Sequence, residues 1–327
     1  MATLSPVGPR WRLWLWLYYR VLSRWTKRSK GTADLIELSM ISFARWSVCR
    51  PGGRPYLLFE TNFNGDTDHY LEAFALVTPN GLKANWKGIA GFPGVEPVSR
   101  FQSFVNDHMQ RIARYWSAYP QASTKMIRSA LELRSRIDAF NERGATPEQF
   151  KAAYDGLIEG AQTIRNPVTR KNGTTSSLSV LAPVVSGAVD GLARELAALP
   201  DEGLMPDDTH FARWAVVDRL DPPHLLFTAW FDRAPADWLP DLHRSLGDRA
   251  HAIWSHCGLA GGGSEAFARL LQAHAVPVGL PFHSYDGWTV GEVREALELA
   301  ERFERFAVCS RDVPAGELQR RWQQELG

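Results

Sequence analysis

The chain carries one stretch twice. Phe43-Ala44-Arg45-Trp46-Ser47-Val48, followed by Tyr56-Leu57-Leu58-Phe59-Glu60-Thr61-Asn62-Phe63, returns as Phe211-Ala212-Arg213-Trp214-Ala215-Val216 and His224-Leu225-Leu226-Phe227-Thr228-Ala229-Trp230-Phe231. The offset is 168 residues (211 minus 43) and holds without a gap to the pair Trp86/Trp254. A second block, offset by 166 (267 minus 101), pairs Phe101 with Phe267, His108 with His274 and Tyr119 with Tyr285. One register kept over so many aromatic and aliphatic positions is an internal duplication, and it requires two modules of one design.

The design reads from the first copy. Its two quoted runs are rich in aromatic and branched residues, as strands are, and Pro51-Gly52-Gly53 between them predicts a hairpin connection. Asp66 or Thr67 is placed to cap a helix with Tyr70, Leu71, Phe74 and Val77 on one face. Residues 82–89 read as a third strand, 99–109 as a helix, 112–119 as a fourth strand, and 125–141 as a helix capped by Ser123. The order β-β-α-β-α-β-α predicts an α+β fold, an antiparallel sheet with helices outside it. The free faces of two such sheets can close on each other into a barrel-like core. The expected boundaries are an N-terminal segment 1–37, module one at 38–145, a helical linker 146–208, module two at 209–310 and a tail 311–327. Residues 1–9 are expected to be disordered, and 178–199 to form an apolar, Ala-rich helix interrupted by Pro183 and Gly187.

Composition narrows the partners. At 45% apolar and 22% charged residues the chain is globular, and a formal net charge of +1 gives no footprint for nucleic acid. Cys49, Cys257 and Cys309 are far apart and odd in number, which fits a reducing, cytoplasmic setting with buried thiols rather than disulfides or zinc.

The segment 10–30 stands apart. As a helix it collects Trp11, Trp14, Leu15, Tyr18, Leu22 and Trp25 on one face, with Arg12, Arg20, Arg24 and Lys27 opposite. A Trp-rich face backed by basic residues suits a helix lying in an anionic membrane surface, so the protein is expected at the membrane periphery. Docking onto the protein's own body or a partner groove is the second reading. A targeting signal is the third, though internal arginines interrupt its apolar core.

Arg45 and Arg213 each interrupt an apolar strand, where a charge is costly unless partnered. Glu60 and Asn62 alternate along the neighbouring strand of module one, whereas module two has Thr228 and Trp230 there. An arginine facing Glu and Asn could line a polar cavity for an anionic or carbonyl ligand; a structural ion pair is the plainer account. Seven of the nine histidines lie in module two, including His210, His256, His274 and His283, and none has a recognised metal spacing. Phosphate-loop and nucleophile motifs are absent from the sequence.

The duplicated Phe-Ala-Arg-Trp and Leu-Leu-Phe runs and the later Ala-x-Trp resemble the dimeric α/β-barrel, or ferredoxin-like, superfamily. Its single-chain duplicated members include the dye-decolorising peroxidases. The chain is also similar to an uncharacterised group with His-Phe-Ala-Arg-Trp followed by Leu-Leu-Phe, matched by His210 to Trp214 and Leu225 to Phe227. The resemblance implies two ferredoxin-like modules. It also implies, as an alternative, a haem-dependent peroxidase-like oxidoreductase with His210, His256 or His283 as axial ligand, although the Gly-x-x-Asp-Gly distal signature is missing. The first expectation needs no cofactor: a peripheral-membrane protein whose barrel binds a small apolar or amphipathic molecule at Arg45, Glu60, Asn62, Arg213 and His210, with or without catalysis.

Overall fold

A computed structural model describes residues 1–8, 11, 39–141, 146–161 and 175–326. The elements in chain order are β1 (Ala2–Pro6), β2 (Ile41–Cys49), β3 (Tyr56–Phe63), α1 (Thr67–Val77), α2 (Pro79–Trp86), α3 (Val98–His108), β4 (Ile112–Ser117), α4 (Thr124–Asn141), α5 (Pro147–Ala161) and β5 (Ser176–Pro183). There follow α6 (Val189–Ala197), β6 (Thr209–Val217), β7 (His224–Phe231), α7 (Pro235–Leu246), α8 (Asp248–Trp254), α9 (Ser264–Ala273), β8 (Leu280–His283), α10 (Val290–Cys309) and α11 (Ala315–Glu325). Two four-stranded antiparallel sheets result, ordered β1-β3-β2-β8 and β4-β6-β7-β5. With their helices they are two ferredoxin-like modules.

The duplicated runs form the central pairs β2/β3 and β6/β7 as expected. Asp66 caps α1 by accepting from the Asp68 and His69 amides, and Met126 N–H donates to Ser123 Oγ at the start of α4. Three expectations fail locally. Residues 82–89 are not a strand: Pro79 opens α2, and Leu82, Asn85 and Trp86 are buried at helical spacing. Residues 178–199 are not one helix: β5 ends at Pro183 and α6 starts at Val189. Nor are residues 1–9 disordered throughout, because β1 pairs with β3 from Ala2↔Glu60 to Pro6↔Tyr56.

That pairing extends the duplication. Ala2 opposes Glu60, and Ser179 opposes Thr228, the counterpart of Glu60. Ala2-Thr3-Leu4-Ser5-Pro6-Val7 therefore corresponds to Ser179-Val180-Leu181-Ala182-Pro183-Val184, so both copies bring an edge strand. The fourth strands are exchanged. β4, from the first copy, pairs with β6, and β8, from the second, pairs with β2. One compact unit comprises Met1–Pro120 with Thr174–Ser284 and holds both sheets; the other comprises Gln121–Gly173 with Tyr285–Gly327. In the second unit α4, α5, α10 and α11 bury Trp322 among Phe150, Tyr154, Phe303 and Phe306.

In the first unit Trp46 and Phe59 on the outer face of one sheet pack with Phe74 of α1 and Trp86 of α2, and Trp214 and Phe227 on the other sheet pack with Trp238 of α7 and Trp254 of α8. Burying each such side chain contributes roughly 1.5–3 kcal/mol before entropy is subtracted. The inner faces meet across a third cluster, in which Leu4 and Leu58 of one sheet join Leu181, Ala215 and Leu226 of the other.

Candidate functional site

Alternation along the strands stacks a polar layer next to that apolar one. Arg45 and Glu60 are Cα partners, as are Arg213 and Thr228, so the duplicated arginines project from the inner faces of both sheets. Arg45, Glu60 and Arg213 are each no more than 2% exposed. Arg45 Nη2 and Nε donate to Glu60 Oε2 at 2.7 and 3.1 Å, and Ser179 Oγ donates to the same oxygen at 2.6 Å. Arg45 Nη1 reaches Ser177 Oγ at 3.0 Å. Glu60 Oε2 is thus fully used, while Oε1, equally buried, has no partner among the described residues. The ion pair read from the sequence is formed, with β5 serines closing it.

Arg213 is held differently. It donates to the carbonyls of Met1 and Thr61, the latter at 3.0 Å, and to Asn62 Oδ1. Its guanidinium lies 5.8 Å from the Tyr115 ring centroid. All of these partners are neutral, and no carboxylate forms an ion pair with it among the described residues. Burial accordingly holds its pKa below the usual arginine value. Asn62 turns its oxygen to Arg213, which leaves Nδ2 buried without an acceptor among the described residues. Arg45, Glu60, Asn62 and Arg213 therefore lie in one layer.

An aromatic layer follows. Phe43 packs against Phe211, Trp230, His210 and His283 at centroid distances of 5.5, 5.2, 5.0 and 5.2 Å. His210 reaches it because β6 carries a bulge between Thr209 and Phe211, which lets consecutive side chains share the inner face. His210 is fully buried; Tyr119 Oη lies 2.9 Å from Nδ1, and Asp232 Oδ1 lies 2.7 Å from Nε2.

The histidines offered as haem ligands are scattered. With both ring nitrogens of His210 engaged, none is left for iron. His283 is wedged between Phe43 and Trp230, the latter at 5.0 Å, so a porphyrin would have to displace both rings. His256 lies outside the sheets against Gly191, where an added Cβ would sit 2.7 Å from its ring. These residues do not fit a haem. Among the described residues no group of three or more His, Cys, Asp or Glu could hold a metal.

Of the expected membrane face only Trp11 falls among the described residues, and it packs on the body: Lys87 Nζ lies 5.2 Å from its ring centroid, and the ring joins the first helix-covered cluster. Trp14, Leu15, Tyr18, Leu22, Trp25, Arg12, Arg20 and Arg24 lie outside the described residues. No described helix is long and apolar enough to cross a membrane. Cys49 and Cys257 are buried with thiols pushed up to about 12, whereas Cys309 is exposed, contrary to expectation, on the outer side of α10.

No protein-family model and no curated protein matches the chain. Among solved structures it is similar to a Fusobacterium nucleatum protein described as a "Putative monooxygenase", at 8% identity and a TM-score of 0.30, over 88% of this chain and 94% of that one.

Proposed function

We propose that the space between the two sheets binds a small molecule with an apolar, preferably aromatic, body and a carboxylate or carbonyl head. The observation that carries this reading is Arg213, a buried cation whose described partners are all neutral, beside the unpartnered Asn62 Nδ2. A buried charge with no carboxylate in contact is expensive, and an anionic oxygen between Arg213 and Asn62 Nδ2 would relieve both groups. Glu60 Oε1 can accept from a donor on the same head, and Phe43, Phe211 and Trp230 offer the body an aromatic wall. Arg45 is already neutralised by Glu60, so Arg213 supplies the affinity.

Benzoate is the probe, and Trp fluorescence the readout. Asn62→Asp gives Arg213 an internal counter-charge of the same shape and removes the orphan donor. The variant is expected to unfold at a higher temperature, because charge-assisted hydrogen bonds contribute about 1.5–3 kcal/mol, and to bind benzoate at least tenfold more weakly. If benzoate binds both proteins equally, or neither, the reading is wrong.

The composition of segment 10–30 supports a second, separate proposal of attachment to anionic membranes. Co-sedimentation with phosphatidylserine vesicles should fall when 12–30 are deleted and in 1 M salt, where screening shortens to about 3 Å. Equal sedimentation with neutral vesicles would discard it.

A further inference from the structure

The bulged histidine is part of a second, independent constellation. Ala118 N–H donates to the His210 carbonyl at 3.0 Å, which prolongs the β4/β6 pairing and sets Tyr119 beside the imidazole. Asp232 follows β7 directly, and its amide donates to the Asp208 carbonyl at 3.1 Å, fixing the carboxylate against Nε2. A carboxylate only accepts, so Nε2 carries a proton; in the tautomer with Nδ1 bare, that nitrogen accepts from the Tyr119 hydroxyl. The three groups run from a carboxylate 12% exposed, through a fully buried ring, to a hydroxyl in a residue 5% exposed.

The duplication shows that this is not simply inherited architecture. By sequence offset, His210 corresponds to Ser42 and Asp232 to Asn64, while Tyr119 corresponds to Tyr285. The equivalent position on β2 thus keeps the bulge, and its matching tyrosine comes from the second copy, but neither Ser42 nor Asn64 takes up a proton near neutral pH. Both substitutions that convert a polar corner into an acid–base pair occur in the second copy, and they meet.

We infer that Tyr119, His210 and Asp232 form a proton-transfer site. Tyr119 is the group that touches substrate, and His210 and Asp232 are its positioning residues. The substrate class is one with a weakly acidic O–H or C–H, a phenol or an enolisable carbonyl. In the step, the substrate O–H or C–H bond breaks and its electron pair stays on the substrate as phenolate or enolate. The proton passes to the Tyr119 oxygen while the tyrosine's own proton moves to His210 Nδ1. Asp232 balances the imidazolium, and no electrons are exchanged. Phe43 and Phe211 flank His210, so charge develops away from bulk water, where a fixed carboxylate acts most strongly. The inference does not depend on anion binding at Arg213.

Benzenesulfonyl fluoride tests it on the full chain. A phenol assisted by a base attacks sulfur, the O–S bond forms, fluoride leaves with the S–F bonding pair, and the proton goes to His210. Peptide mapping should find Tyr119 labelled. Tyr119→Phe should abolish that label, and Asp232→Asn and His210→Gln should slow it at least tenfold while circular dichroism and the thermal midpoint show folded protein. Tyr115, which is 47% exposed, serves as the internal control. The inference is overturned if Tyr119 is not labelled in the folded protein, if Tyr115 reacts as fast, or if Asp232→Asn leaves the rate unchanged. Benzoate binding, measured on the same variants, separates this result from the anion proposal: Asp232→Asn should still bind benzoate like the parent.

Discussion

At the scale of single residues, the inner faces of the sheets hold far more polar chemistry than packing needs, and each group's neighbours decide what it can do. His224 shows the opposite case, a histidine used as structure. It is buried at the start of β7, and its Nδ1–H donates to the Pro222 carbonyl at 2.7 Å. Burial first, and then His274, hold its pKa below the ordinary 6.5. The folded protein therefore favours neutral His224, and the unfolded chain binds the proton more readily. Stability from this site is complete above pH 6.5 and is lost as the pH falls from there through the lower folded-state value; each unit of difference is worth about 1.4 kcal/mol. Thermal melts of His224→Gln between pH 7.5 and 5 should show a flatter decline than the parent. A parallel decline would mean that His224 does not contribute to the acid side.

At the scale of elements, the short β8 is the most exacting piece. Four residues attach it to β2, from Phe43↔His283 to Trp46↔Leu280, and His283 enters the aromatic layer from there. Gly279 makes the approach possible: an added Cβ would lie 2.0 Å from the Trp46 carbonyl oxygen and 3.1 Å from the Ser47 Cα, both backbone atoms that cannot swing away. Gly279→Ala should therefore detach or shift β8 and cost about 1–3 kcal/mol or more, lowering the thermal midpoint. Hydrogen exchange should localise the loss to β8 and the β2 edge. Unchanged stability would show that this edge yields easily. Bulges are similarly decisive, since both central strands kink at the same place yet only the second kink presents an imidazole.

Over the first unit, exchange of β4 and β8 makes each copy's sheet depend on a strand from the other copy. A fragment containing residues 38–145 alone keeps β4 but has no β8 to cover the β2 edge, and it lacks the β6 edge on which β4 pairs. Exposed strand edges are templates for association. Expressed alone, the fragment should be unfolded or self-associated by sedimentation velocity. A folded monomer would show that the copies are independent after all.

The sequence by itself determined the duplication, the two central strand pairs, several helices with their caps, and the residues of the Arg45/Glu60/Asn62/Arg213 layer. These are legible because they depend on local alternation and on comparison of one copy with the other. The same comparison contained β1, in Thr3-Leu4-Ser5-Pro6 against Val180-Leu181-Ala182-Pro183, and the paired replacements Ser42/His210 and Asn64/Asp232, but each signal is short. Residues 82–89 were misleading, since an apolar run around a tryptophan has no period that separates a buried helix from a strand. Only the tertiary structure decided that β4 and β8 change sheets, because strand partners are chosen by backbone hydrogen bonding across long sequence separations, which leaves no trace in local pattern. For the same reason only the fold could bring Tyr119, His210 and Asp232, 91 and 22 residues apart, to hydrogen-bonding distance.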